Sequence, residues 1–153
     1  MRLSGNFTLG ELTKSQTAIR NGIDDIPGLE EIVSLTGLCH RILEPVRKEY
    51  SAFSPNSGYR SAELCELVGS SAKSQHAKGE AADIEIPGVD NFQLAEWIKS
   101  NLEFDQLILE FYKKGEPSSG WVHVSFSRSK SQRNDIRHTV FKDNKVKYPE
   151  GLE

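Results

Sequence analysis

Apolar residues recur at steps of three and four positions between residues 29 and 50, which is the pattern of one face of an α-helix. Pro45 interrupts this segment. Because proline has no backbone N–H and clashes with the preceding turn, we expect the helix to kink or restart there. The positions that define the apolar face are Ile32, Leu35, Cys39, Ile42, Leu43, Val46 and Tyr50.

Shorter helical patterns occupy about 9–15, 62–69 and 89–102. The first of these begins with Thr8 and Glu11, which have the spacing of a capping box. In a capping box the two residues satisfy each other's backbone N–H groups, so we expect a helix to start at this point.

Three segments have the composition and alternation of β-strands, at 81–87, 104–112 and 120–127. The last two are joined by a loop of Gly, Pro and Ser and therefore predict a hairpin. In the first segment alternate residues are apolar, so Asp83 should project from the face opposite the core. A turn-rich stretch at 51–61 is expected to contain a further short strand.

Helices precede a small sheet that is itself interrupted by a helix. This order predicts an α+β fold in which a small antiparallel sheet packs against helices. A chain of 153 residues buries roughly 68–70% of its unfolded surface, which is enough for a self-supporting core. We therefore expect residues 1–153 to form a single domain.

The chain carries 19 Lys and Arg against 22 Asp and Glu, a formal charge of −3 at pH 7. A dedicated nucleic-acid-binding domain is usually strongly basic, so nucleic acid is not an expected partner. No apolar run reaches the roughly 18–20 residues of a membrane span, and the N-terminus has no apolar signal core. We expect a monomer, synthesised in the cytoplasm without a signal peptide and without a membrane span.

The two cysteines, Cys39 and Cys65, both lie in apolar helical segments. Free cysteine is among the most buried residue types, so we expect two buried thiols. A disulfide between them is the alternative, which a cytoplasmic compartment does not favour.

Two of the four histidines lie in the most distinctive polar patterns of the chain. His76 falls in a loop of small and polar residues at 70–80, Asp83 follows seven residues later on a strand, and His123 lies on a strand of the predicted hairpin. Gly79 lets the backbone fold back between the first two, so the three can converge. Histidine and carboxylate are good zinc ligands, and a catalytic zinc typically has three protein ligands. The set predicts one Zn²⁺ per chain.

Glu110 ends the strand beside the one that bears His123. Its carboxylate could therefore reach a zinc-bound water and take its proton. This placement makes Glu110 the candidate general base.

Four strings carry a resemblance to a known family: SGYRS at 57–61, SQHAKGEAADI at 74–84, FDQLILE at 104–110 and WVHVS at 121–125. In order and spacing they resemble the zinc D-Ala-D-Ala carboxypeptidase family of murein peptidases, in the branch common in bacteriophage genomes. The resemblance runs from about residue 7 to about residue 128. The hedgehog signalling domain has the same metal scaffold, so the resemblance implies a hedgehog-like zinc peptidase fold.

The resemblance implies that the zinc ligands are His76, Asp83 and His123. It also implies that Arg60 contacts a substrate carbonyl or carboxylate and steadies the developing oxyanion. Many members place the catalytic carboxylate three residues before the last zinc histidine, yet here that position is Gly120. Glu110 fits the hedgehog-like arrangement and is the expected catalytic base.

Three further candidates for substrate binding adjoin the candidate ligands: Ser74, Gln75 and Trp121. We expect Ser74 and Gln75 to hold the ligands in place as well, and Trp121 to wall off the site. His40 and His138 have no partner pattern, and we expect neither to bind metal.

Residues 128–147 carry seven basic side chains against two aspartates. Such a segment is typical of a solvated charged surface, and contact with anionic polymers of the cell envelope is the alternative.

The sequence thus predicts a zinc-dependent metallopeptidase that hydrolyses peptidoglycan stem peptides, as a D-Ala-D-Ala carboxypeptidase or an endopeptidase. We expect a phage-type cell-wall lytic enzyme, such as an endolysin, that reaches the wall after release from the cell or as part of a virion. Two alternatives stay open. One is a non-catalytic zinc-binding module that binds the wall or a partner, such as a virion structural component. The other is a fold that the metal merely stabilises.

Overall fold

The computed structural model describes all residues from 1 to 153. Helices dominate the first part of the chain and strands the last part. In chain order the elements are α1 (Leu9–Thr13), α2 (Gln16–Arg20), α3 (Leu29–Leu38), a π-helical turn (Cys39–Leu43), α4 (Glu44–Glu49), α5 (Ala62–Leu67), β1 (Ala81–Ile84), α6 (Asn91–Asn101), β2 (Gln106–Glu110), β3 (Trp121–Ser125), β4 (Asp135–His138), β5 (Val140–Lys142) and β6 (Lys145–Lys147).

The helix expected at 29–50 is interrupted near Pro45, as its sequence predicts. The chain passes from α3 through the π-helical turn into α4, and Pro45 lies in the first turn of α4. Proline cannot donate the usual i→i−4 bond. Just before it, the Glu44 N–H donates to the Cys39 carbonyl, five residues earlier, which is the bond of a π-helical turn.

The capping box before α1 is confirmed. The Thr8 hydroxyl accepts from the Glu11 amide at 3.3 Å, and the Glu11 carboxylate accepts from the Thr8 amide at 3.0 Å. Helices α5 and α6 lie where the pattern placed them. Helix α2 was not predicted. Only one of its residues, Ala18, is buried, so the sequence shows no apolar face there. The prediction of a strand within 51–61 is wrong, since that stretch contributes only an isolated bridge between Ser57 and Asp83.

Strands β1 to β4 form one sheet in the order β1-β3-β2-β4. The hairpin of β2 and β3 is confirmed and antiparallel, and β1 pairs antiparallel with β3. At the far edge β4 runs parallel to β2, so the sheet is mixed rather than wholly antiparallel. The charged segment at 128–147 therefore supplies an edge strand, and Ile136 in that strand packs against the core. Strands β5 and β6 form a separate two-stranded sheet.

The core lies between one face of the sheet and the helices. Helix α6 packs on β2 and β3. Cys39 and Cys65 are buried free thiols, as expected. None of the helices is long and apolar enough to cross a membrane. The inward residues of β1, β2 and β3 are Ala82, Ile84, Leu107, Leu109, Val122 and Val124.

Candidate metal centre

The face of the sheet turned away from the core carries most of the candidate residues. Asp83 on β1 lies opposite His123 on β3, and Glu110 on β2 lies opposite Trp121 on β3. Directly opposed residues of antiparallel strands point to the same face, and so do residues two apart on one strand. The four side chains therefore share one face.

His76 reaches this face from the turn-rich loop before β1. Its backbone carbonyl accepts from the Arg60 amide at 3.1 Å, and its own amide donates to the Ser74 hydroxyl at 3.2 Å. Gly79 has φ +72°, and a Cβ atom there would overlap the Glu31 carbonyl. Only glycine lets the loop turn this tightly against α3, and this turn lets the chain lead from His76 into β1.

The three predicted ligands converge. Their ligand atoms lie within 4.8 Å of one another. Asp83 Oδ1 is 3.5 Å from His76 Nε2 and 3.2 Å from His123 Nδ1. Around a tetrahedral zinc with bonds of about 2.0–2.1 Å, neighbouring ligand atoms are about 3.3 Å apart. The observed separations match that spacing.

The protonation of His76 suits a ligand. Its Nδ1 donates to the carbonyl of Gly58 at 2.7 Å, and a carbonyl can only accept. Burial lowers the pKa of His76 and outweighs the opposite effect of Asp83, so the ring is neutral at pH 7. The Nε2 lone pair is then free, 3.5 Å from the Asp83 carboxylate. Two electron-pair donors this close are best satisfied by a cation between them.

The protonation of Asp83 also suits a ligand. Burial raises the pKa of Asp83, but the side chains of His123 and His76 beside it outweigh that effect and hold the pKa below its usual range. The carboxylate is therefore charged at neutral pH. Neutral imidazole and ionised carboxylate are the forms that bind metal, so the donor set fits a zinc ion.

Arg60 adjoins the three ligand-type residues, and one of its N–H donors has no hydrogen-bond partner. Its Nη2 lies 3.4 Å from Asp83 Oδ2, while its Nε is buried and has no hydrogen-bond partner. A groove of about 380 Å³ passes beside it, lined in part by Lys14, Ser15 and Asn56. A buried donor that faces no acceptor can bind a carbonyl or carboxylate that enters from the groove.

Glu110 lies beside the ligand set, two residues along from the partner of His123. Residues at such diagonal positions are about 7–8 Å apart between α-carbons. Its Oε2 accepts from the Trp121 indole at 2.8 Å, and the Trp121 ring lies 5.4 Å from the Phe111 ring. Burial raises the pKa of Glu110 and outweighs the opposite effect of His123. A raised pKa brings a carboxylate closer to the working range of a general base at neutral pH.

Position 120 has no room for a side chain. Gly120 has φ +65°, and a Cβ atom there would overlap the carbonyl groups of Glu110 and Phe111. A carboxylate three residues before His123 is therefore incompatible with this backbone. Glu110 is the acidic side chain that the β2–β3 pairing brings to the site instead.

The remaining predicted residues hold the site or lie outside it. The Gln75 amide donates to Asp105 at 3.0 Å and to Glu80 at 3.4 Å, which ties down the loop next to His76. His138 is bonded through its Nδ1 to the Gly151 carbonyl at 2.8 Å, and His40 is exposed on the π-helical turn. Neither His40 nor His138 belongs to the ligand cluster.

Two residues of the site were not foreseen. Gly58 acts through its carbonyl, and a backbone acceptor has no signal in the sequence. Asp105 acts indirectly. Its carboxylate accepts hydrogen bonds from Gln75, which precedes His76, and from Arg133. Its position just before an apolar strand was the only sequence signal for this role. That signal is weak, because many strands begin with such a residue.

A family model described as Peptidase M15 matches residues 5–125, a range that includes Arg60, Glu110 and the three ligand-type residues. No curated protein matches the chain. Peptidases of this family are zinc-dependent and act on peptidoglycan peptides. The resemblance seen in the sequence is thus confirmed at the level of the family, and the chain belongs to the M15 peptidases.

Proposed function

We propose that this chain is a zinc peptidase that hydrolyses peptidoglycan stem peptides at bonds involving a D-amino acid. It acts as a D-Ala-D-Ala carboxypeptidase or endopeptidase of the phage-type, cell-wall lytic kind. One observation carries the proposal. A single face of the sheet brings a zinc-type donor set together with a carboxylate of raised pKa and a buried arginine donor.

The proposed zinc ligands are His76 Nε2, an Asp83 carboxylate oxygen and His123 Nδ1. Zinc held there would supply Lewis acidity, which polarises a peptide carbonyl and lowers the pKa of water. The chain's own part is to keep the donors close and in their binding protonation states. Gly58 and burial do this for His76, and the neighbouring histidines do it for Asp83.

Glu110 moves the proton. It accepts a proton from the attacking water and passes it to the leaving amine. Trp121 holds one of its carboxylate oxygens, so the other is left to take the proton. The net effect is that the amide C–N bond breaks, the carbonyl carbon gains the water oxygen, and the amine leaves protonated.

Arg60 binds the substrate. Its unpartnered Nε donates to the carbonyl oxygen or to a neighbouring carboxylate. Where the charge develops on that oxygen, a donor of this type is worth about 3–4 kcal/mol. Ser74, Gln75 and Trp121 keep the loop and the strand in place around the bound peptide.

The test is digestion of defined soluble muropeptides by the zinc-loaded protein, with products identified by mass spectrometry. We expect loss of a terminal D-Ala from a pentapeptide stem, or separation of cross-linked stems. A stem with L-Ala at the scissile position is the matched control and should stay intact. Chelation should stop the reaction and added zinc should restore it. No cleavage by a protein that carries a full complement of zinc would favour the non-catalytic module instead.

A further inference from the structure

The hairpin of β5 and β6 is anchored beside Glu110. Thr139, just before β5, donates its N–H to the Leu109 carbonyl at 3.1 Å, and its hydroxyl accepts from the Phe111 amide at 2.6 Å. At the other end, Tyr148 directly follows β6. Burial raises the pKa of Tyr148, and the nearby Glu110 carboxylate raises it further. Both ends of the hairpin therefore lie next to the proposed catalytic carboxylate.

The hairpin has one apolar face and one basic face. Phe141 lies opposite Val146, and alternation along the chain places Tyr148 on the same side as this pair. The opposite face carries the three lysines Lys142, Lys145 and Lys147.

The chain covers the apolar face only in part. All six strand residues of the hairpin are exposed, Phe141 by 71% and Tyr148 after it by 46%. The turn is formed by Asp143 and Asn144, with φ of +53° and +59°, which is the geometry of a tight hairpin turn. A hairpin with a defined turn that leaves an aromatic ring in water presents a surface for a ligand.

We infer that this hairpin binds the glycan strand of peptidoglycan while the site beside Glu110 takes the stem peptide, an inference that rests on the proposed function. Aromatic rings offer flat apolar faces with a polar edge, which suit the C–H faces of sugar rings. Lys142, Lys145 and Lys147 make the hairpin positively charged, which favours the approach of a polymer that carries lactyl and stem-peptide carboxylates. The family match ends at residue 125, so this surface lies outside the matched region.

A further exposed aromatic ring, Phe111, lies between the base of the hairpin and the proposed active site. Phe111 is 45% exposed and has φ +54°, an unusual conformation for an aromatic residue. Its ring packs against Trp121, which contacts Glu110. A glycan strand on Phe141 and Tyr148 would therefore run past these rings and present its stem peptides to Glu110.

The test measures binding of the zinc-loaded chain to peptide-free glycan strands, prepared from sacculi with an amidase. Such strands carry sugars and free lactyl carboxylates but no peptide bond to cleave. We expect Phe141→Ser to raise the Kd at least tenfold. Ile26→Ser is the matched control, because Ile26 is 73% exposed in a loop before α3, and it should bind as the wild type does.

Two further variants separate stacking from folding of the hairpin. Phe141→Leu keeps an apolar side chain but removes the ring, so it should weaken binding as Phe141→Ser does. Phe141→Trp keeps a ring and should bind within about twofold of the wild type. Tight binding by Phe141→Leu, or no binding of strands by the wild type, would overturn the inference. A wild-type dimer that Phe141→Ser dissociates would also overturn it, because a second copy would then cover this face.

Hydrolysis of soluble stem peptides, measured on the same proteins, distinguishes this inference from the proposed function. We expect Phe141→Ser to keep the wild-type rate on soluble peptides and to lose activity on intact sacculi. A wild type that binds strands but cleaves no peptide would contradict the proposed function alone. Loss of soluble-peptide hydrolysis in Phe141→Ser would contradict the inference, since the hairpin would then belong to the peptide site.

Discussion

In the proposed ligand set, His76 and His123 contribute different ring nitrogens, Nε2 from the loop and Nδ1 from the strand. We predict about one zinc per chain in the wild type and loss of most of it in His76→Ala and in His123→Ala. Each change leaves two protein ligands where three are needed. Metal content of the dialysed proteins, measured by mass spectrometry, gives the answer.

His40 and His138 provide the controls for that experiment. His40 is exposed, and the ring of His138 is bonded to the Gly151 carbonyl. His40→Ala and His138→Ala should therefore keep both zinc and activity. Full zinc occupancy in the His76 and His123 variants would refute the ligand assignment.

Substitution of Arg60 distinguishes substrate binding from proton transfer. Arg60→Ala removes the guanidinium group that lines the groove, so kcat/KM should fall with a visible rise in KM. Zinc should stay bound, because Arg60 donates no electron pair to a metal. Arg20→Ala, at an exposed arginine on α2, should match the wild type in steady-state kinetics with a soluble stem peptide. An unchanged KM in Arg60→Ala would rule out ground-state binding by this residue.

At the residue scale, side chains were easier to foresee than backbone groups. His76, Asp83 and His123 lie in strings that resemble a zinc peptidase family, and that resemblance makes a metal site a specific expectation; the structure brings the three together. The Gly58 carbonyl has no residue-type signal. The bond from Trp121 to Glu110 depends on the register of β2 against β3, which short-range patterns do not specify.

The β2–β3 hairpin contains a position that tolerates only glycine. A residue with a side chain at φ +65° carries strain of about 1–2 kcal/mol, and at Gly120 the Cβ would also collide with the backbone of β2. We predict that Gly120→Ala lowers the free energy of unfolding by about 3 kcal/mol or more. Urea denaturation at neutral pH measures the difference.

Gly115 is the matched control in the same connection. It has φ +89°, but a Cβ atom there would have open space around it. Gly115→Ala should therefore cost only the conformational strain, about 1–2 kcal/mol. Equal destabilisation by the two substitutions would show that crowding at Gly120 is unimportant.

The start of β2 is tied to the segment before β4 by an ion pair between the buried Asp105 and the exposed Arg133. Arg133 donates to both carboxylate oxygens of Asp105, its Nη2 at 2.9 Å. Burial raises the pKa of Asp105, but these bonds outweigh it, so the net pKa is lowered. Such a group stabilises the fold above its unfolded pKa of about 3.9, and the stabilisation is lost as pH falls through the lower folded value.

Arg133→Gln should therefore flatten the loss of stability below about pH 4. Asp83 also has a lowered pKa, so the wild type alone does not isolate this pair. Urea denaturation of Arg133→Gln and wild type across the acid range gives the difference. Arg128→Gln is the control, since Arg128 is exposed and contacts Glu80 through its backbone amide. The same acid profile in Arg133→Gln and wild type would exclude a role for the pair.

At the element scale, long periodic segments were predictable and short edge elements were not. The apolar face of α3 and α4 repeats over several turns, and Pro45 marks the interruption by its chemistry alone. Strand β4 has the sequence Asp-Ile-Arg-His, which shows no apolar alternation beyond Ile136. It becomes a strand because β2 offers a free edge, and that is a tertiary effect.

At the scale of the whole molecule, the α+β class followed from the order of helices and strands, and the structure confirms it. The separate hairpin of β5 and β6 did not follow from the sequence, since a basic segment is typical of a solvated surface. Its relation to Glu110 depends on the parallel pairing of β4 with β2 across the sheet. That pairing places the last segment of the chain next to the proposed active site.

The most direct test of the proposed mechanism compares Glu110→Gln with the wild type for zinc content and kcat in the same preparations. Glutamine keeps the size of the side chain but cannot take a proton as a carboxylate does. We predict full zinc occupancy and a kcat on soluble muropeptides lowered by about 10²–10⁴-fold. Glu116→Gln, at an exposed glutamate in the β2–β3 connection, should keep the wild-type rate. A zinc-loaded Glu110→Gln that turns over at the wild-type rate would contradict the mechanism.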